Sequence, residues 1–168
     1  MAIGLGAGPL FILHAFNHSI AKVALFLLAG SIIQCYGTKS LKKISGMLKA
    51  SPATGALLFI AAFAIAGSPP FGAFISEWLL LRNTFAAGEI AAGIAVLVGL
   101  TATFIAISAH VARACFGPAP ADVKPLPSSA WSVVPAILLL LSLLAGFMVN
   151  PAVIRVLSGL AVTGGALR

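Results

Sequence analysis

His14, His18 and Lys22 stand four residues apart inside an apolar stretch of the chain. Four residues advance an α-helix by about 400°, so the three side chains form one stripe about 12 Å long. A lysine placed in a membrane helix costs a few kcal/mol on insertion scales, and one beyond snorkelling reach of the interface must face a partner or water. Histidine titrates near neutral pH. Groups spaced about 6 Å apart along a helix, with water between them, can therefore relay a proton. Glu77 is the only carboxylate inside an apolar run, and it closely follows Gly67-Ser68-Pro69-Pro70-Phe71-Gly72. It falls in the first turns of a helix opening after the prolines. There the helix dipole favours the anion and burial opposes it, a balance suited to a group that takes up and releases protons.

Other readings of the same residues stay open. His-x3-His is also a two-ligand metal spacing. No third ligand is evident, since His110 is far away near a helix end and Lys22 repels a cation. Glu77 could instead form a structural salt bridge with Arg82. Asn17 and Ser19 read as side chains that hydrogen-bond across helices in a bundle. Trp78 reads as packing, and Glu89 as an acidic residue complementing the start of a helix. No cysteine cluster, glycine-rich nucleotide loop or haem motif is present, so no redox cofactor and no metal is expected. Cys35 and Cys115 lie in different segments and form no CxxC, which leaves a disulfide framework without support.

These groups must be positioned by membrane-spanning helices. The chain is 61% hydrophobic and only 8% charged, with a mean hydropathy of +1.14. A soluble domain carries roughly a quarter charged residues. Apolar residues come in continuous runs such as Ala136–Leu144, not in the alternation of barrel strands. The expected fold is all-α and polytopic, about four spans forming a single membrane domain. The formal net charge of +7 does not point to nucleic acid. Lys39, Lys42, Lys43 and Lys49 cluster in one loop, where the positive-inside rule puts cations on the cytoplasmic face. Met1–Leu10 lacks a basic n-region and a clear cleavage site, and so does not read as a signal peptide.

The expected spans are residues 9–34, 53–87, 89–115 and 133–149, with a basic cytoplasmic loop over 35–52. Within that loop, Leu41, Ile44, Met47 and Leu48 against Lys42, Lys43 and Lys49 suggest a short amphipathic helix in the interface. The 53–87 segment is broken at 67–72 by Gly67-Ser68-Pro69-Pro70. Each half reaches only about 21–26 Å against a hydrocarbon core of about 30 Å. One discontinuous crossing fits those lengths better than two short ones, and such breaks are tolerated where they line a cavity. Gly117–Ser129 reads as a surface loop, Trp131 as an interfacial aromatic, and 152–168 as a partial or interfacial helix.

Two runs carry a family resemblance: His14-Ala15-Phe16-Asn17-His18-Ser19-Ile20-Ala21-Lys22 with Ala24-Leu25-Phe26-Leu27, and Ala66-Gly67-Ser68-Pro69-Pro70-Phe71-Gly72-Ala73-Phe74-Ile75-Ser76-Glu77. They resemble the antiporter-like subunits of respiratory complex I and group 4 hydrogenases, and are similar to the large subunits of Mrp-type cation/proton antiporters. Asn-His-Ser-x-x-Lys, with Glu after the break, looks closest to the membrane component F of hydrogenase-4. The resemblance spans roughly Gly8–Pro118 and corresponds to the C-terminal portion of such a protein, without the family's first inverted repeat. It implies a discontinuous helix beside the His/Lys helix and a polar axis in which His14, His18 and Lys22 are proton-relay groups and Glu77 the terminal carrier. It further implies a proton-translocating, non-redox subunit of a hydrogenase or NADH dehydrogenase-type complex in a prokaryotic inner membrane. The partners would be other membrane-arm subunits and a peripheral hydrogenase or dehydrogenase arm. Part of a cation/proton antiporter and a non-conducting scaffold remain the alternatives.

Overall fold

A computed structural model describes residues 8–121, 123–124 and 130–148. All regular elements among them are helical: α1 (Gly8–Tyr36), α2 (Met47–Ala50), α3 (Pro52–Ile65), α4 (Gly72–Ala86), α5 (Ile90–Cys115) and α6 (Ala130–Met148). Three stretches, Leu10–Tyr36, Ile90–Cys115 and Trp131–Met148, are long and apolar enough to cross a membrane, and Pro52–Ile65 is a shorter apolar helix. The outward faces match that setting. Phe11, Phe16, Val98, Ile105 and Phe147 are each more than 60% exposed, which only lipid or neighbouring protein can cover at low cost.

Local sequence accounts for the ends of the elements. Pro52 opens α3, where its fixed φ suits the first helical position. The helix stops at Ile65; Gly67 then takes φ 69°, and Pro69-Pro70 supplies no backbone donors. Backbone bonds from Ser68 N to Phe63 O (3.0 Å) and from Phe71 N to Ser68 O (3.1 Å) satisfy part of the interrupted ladder. Phe71 is extended, and α4 begins at Gly72. Glu89 precedes α5 directly.

The helices pack in register along one another. Ile32 shares a cluster with Leu58 and Met47, and Ala21, Ala24 and Leu28 share another with Ala61, Ala64 and Ile65. Further along α1, Asn17 meets Gly72 and His14 meets Ser76. α3, the break and α4 thus follow α1 antiparallel, from its C-terminal towards its N-terminal half. On the other flank α5 does the same: Cys115 bonds the Gly55 carbonyl, Phe104 packs on Phe63 at 5.9 Å, and Gly93 abuts Phe85. α6 runs parallel to α3, with Leu139 in the central cluster and Gly146 against the Pro70 carbonyl.

The basic loop departs from expectation. Instead of one amphipathic helix there is a 3-10 turn over Leu41–Lys43 and the single turn α2. Gly46 separates them in the left-handed region at φ 68°, and a Cβ there would meet the Pro118–Ala119 backbone. Ile44 and Met47 are buried against Ala114 and Cys115, so the segment plugs the end of the bundle. Tyr36 Oη donates to the Ser45 carbonyl at 2.6 Å. The loop after α5 is stitched to the same end: Gly46 N donates to Phe116 O, Lys124 N to Cys35 O, and Ser45 Oγ to Pro118 O. Trp131 lies in the first turn of α6 and is exposed. The expected terminal segment 152–168 lies outside the described residues.

Candidate functional site

α1 positions the stripe expected from the sequence, and its two histidines meet. The rings of His14 and His18 stack at 5.4 Å, 28° from parallel. His14 Nδ1 is 3.0 Å from Ser76 Oγ on α4. That hydroxyl donates to the Ala73 carbonyl at 2.8 Å, so it accepts from the imidazole, and Nδ1 of His14 carries a proton. Ser76 is fully buried and directly precedes Glu77. It is a site residue that spacing along α1 cannot reveal, because 62 positions separate it from His14. The only hint lies in the Ile75-Ser76-Glu77 run itself.

Between the histidines, Asn17 is 0% exposed. Its Nδ2 donates to the Gly72 carbonyl at 3.1 Å, an interhelical bond of the kind expected for it. The amide lies so close over Gly72 that a Cβ there would come within 2.6 Å of Oδ1. Ser19, by contrast, turns back on its own helix and bonds the Ala15 carbonyl at 2.7 Å. Asn17 Oδ1, His18 Nδ1 and Ser142 Oγ on α6 are buried polar atoms without a protein partner. Polar atoms of that kind usually hold internal water.

Lys22 and Glu77 open onto two other cavities. Each four-residue step on α1 also turns the side chain by about 40°, so Lys22 points about 80° away from His14. It is exposed and lines a groove of 570 Å³ between α1 and α5, together with Lys39 and His110. His110 therefore lines the same groove as a stripe residue from which it is far removed in sequence. The half-buried Glu77 carboxylate lies over Gly67, in the break: a Cβ on Gly67 would fall on it. It therefore turns toward the break and not along α4 toward Arg82. The same side of α4 faces a 350 Å³ cavity lined by Trp78, Leu97, Thr101 and Phe104. Among the described residues no group of three or more His, Cys, Asp or Glu side chains gathers as a metal site.

A bundle of apolar helices, with a break between two of them and half-buried titratable groups beside it, defines a polytopic membrane protein of the ion-transport kind. The family described as NADH:quinone oxidoreductase/Mrp antiporter, transmembrane, matches residues 1–106, and the chain belongs to that family. It is 33% identical to the D-type subunit of the Na(+)/H(+) antiporter of Bacillus subtilis over 137 residues, covering 80% of this chain and 28% of that protein. It is 32% identical to the hydrogenase-4 component F homolog of Methylacidiphilum infernorum over 144 residues, covering 86% of this chain and 30% of that one. Among solved structures, a chain of the Mrp complex from a Dietzia species superposes with a TM-score of 0.74 at 26% identity, covering 95% of this chain and 37% of that chain. The chain thus spans well under half the length of the proteins it matches. It is an integral membrane protein, and the bacterial relatives agree with the expected cell-membrane location.

Proposed function

We propose that this chain is part of a proton-translocating membrane subunit, and that His14, His18, Lys22 and Glu77 carry the proton. The observation that carries the reading is the His14–Ser76 bond. It joins the α1 stripe to the residue adjoining Glu77, at a break whose glycine leaves room for the carboxylate. A proton passed along the stacked imidazoles reaches α4 within one residue of a carboxylate set in apolar surroundings. Coupling requires that the surroundings of Lys22 and Glu77 differ between states of the assembly, so other membrane subunits must supply the driving change. A peripheral hydrogenase or dehydrogenase arm is one source of that change, and the likeness to a hydrogenase-4 component supports it.

A second reading has equal footing in the relatives: a Na(+)/H(+) antiporter subunit and an Mrp complex. Both readings use the same proton carriers and differ in what drives them. Lys22→Ala and Glu77→Gln, made in the assembled complex, are expected to lower proton translocation by at least about a hundredfold, the scale of losing a positioned proton-transfer group, without reducing assembly. Normal translocation in both variants sinks the assignment. Sodium-dependent proton exchange in vesicles lacking any electron donor selects the antiporter reading. Exchange that appears only with a donor selects the oxidoreductase arm.

A further inference from the structure

Lys22, at one end of the histidine stripe, does not face the other polar groups of the break. It faces the groove whose floor is α3, at Leu58 and Ile65, and whose walls are α1 and α5. Among the described residues, three titratable side chains line that groove, Lys22, His110 and Lys39; no carboxylate does, and the rest of the lining is apolar. Packing register orders them. Phe104 lies beside Phe63 and Cys115 beside Gly55, which puts His110 level with Leu58 and hence with Ile32 of α1. Lys22 lies about 15 Å deeper, ten residues at 1.5 Å each. Lys39 lies beyond the end of α1, in the basic loop. The groove thus runs from the middle of α1 to the basic face, with His110 on the way.

The state of His110 suits that position. Its Nδ1 is 2.7 Å from the Ala106 carbonyl, which can only accept, so Nδ1 carries a proton and Nε2 is the basic nitrogen. We propose that the α1–α5 groove is a water route joining Lys22 to the basic-loop face, with His110 as the proton relay along it. This rests on Lys22 being a proton carrier. The Lys22 ammonium releases a proton to water in the groove, and that water protonates His110 Nε2. The resulting imidazolium returns the proton from Nε2 to water nearer Lys39. Nδ1–H stays on the Ala106 carbonyl throughout, and one proton enters and leaves with no change of oxidation state.

Two measurements on the full protein in its native membrane test this. Ile107→Cys and Val111→Cys on the groove wall, and Val98→Cys on the outward face, are treated from the basic-loop side with a small water-soluble thiol reagent. Thiols react as thiolates, which form in water and not in hydrocarbon, so groove cysteines are expected to label about tenfold faster than Val98→Cys. Equal labelling overturns the water route. His110→Ala is expected to lower translocation about a hundredfold, with partial recovery on adding imidazole, which a purely structural role would not allow. Normal translocation in His110→Ala, alongside loss in Glu77→Gln, overturns the relay and leaves the parent reading standing. Normal translocation in Lys22→Ala and Glu77→Gln overturns the parent reading and the relay with it, while the labelling result still decides whether the groove holds water.

Discussion

The Asn17 amide lies flat on Gly72 and ties the middle of α1 to the first turn of α4. Two effects on Asn17→Ala oppose each other. The variant loses a buried hydrogen bond and packing, about 1–3 kcal/mol, but also removes the unpartnered Oδ1, which offsets part of that. A net loss of about 1 kcal/mol is expected. Gly72→Ala drives a methyl into the same amide with no room to yield, costing about 1–3 kcal/mol. In the double variant the methyl enters the space the amide has left. The two costs are therefore expected to fall short of adding by about 1 kcal/mol, a coupling readable as thermal midpoints of the purified protein. Strict additivity means that the contact is not where the structure puts it. The site was partly legible at this scale: a four-residue spacing is enough to stack His14 on His18. Ser76 and His110 were not legible. Their relation to the stripe is made by helix packing across 62 and 88 residues, and no local pattern records it.

At the scale of elements, the break between α3 and α4 sets where the Glu77 carboxylate can lie. Gly67 combines a left-handed φ of 69° with a surface left open for that carboxylate. Gly67→Ala costs about 1–2 kcal/mol in backbone conformation alone, and its methyl displaces the carboxylate from the break. The expected outcome is a protein that still assembles but translocates protons at least about tenfold more slowly, the scale of a misplaced reacting group. Adding Gly67→Ala to Glu77→Gln should then bring no further loss. A further loss would show that Gly67 acts on translocation by another route. The break itself was legible, because two prolines and a glycine leave a helix no way through. The basic loop was misread for the opposite reason. Its apolar and basic residues repeat at helical spacing, but Gly46 interrupts the helix and Ile44 and Met47 find a buried seat among Ala114 and Cys115. Periodicity picked out Ile44 and Met47, which are buried, together with Leu41, which is exposed, and could not tell protein from membrane interface.

At the scale of the whole molecule, lengths favour a single broken crossing of the bilayer by the segment from α3 to α4. From Gly55 to Phe85, α3, the break and α4 run beside α5 from Cys115 to Gly93. That stretch of α5 rises by 22 residue steps, about 33 Å, close to the roughly 30 Å of one hydrocarbon core. Two separate crossings need about twice that distance. The bonds joining the basic loop to Phe116, Pro118 and Lys124 also gather both loops at one end. With a single broken crossing, Lys43→Cys and Ala121→Cys are expected to react with an impermeant thiol reagent from the same side of sealed vesicles, and Ala87→Cys from the other. The native thiols, Cys35 and Cys115, are both buried and leave the background low. Two crossings predict another pattern, with Lys43→Cys and Ala87→Cys on one side and Ala121→Cys opposite. The arrangement bears on function through the break. In a single crossing, Gly67, Pro70 and Glu77 sit at mid-membrane, where a carboxylate must be shielded or hydrated to persist. In two crossings they sit near an interface, where an exposed carboxylate needs no special role. Labelling of Ala87→Cys from the Lys43 side would therefore overturn the topology and remove the physical reason for reading Glu77 as a proton carrier.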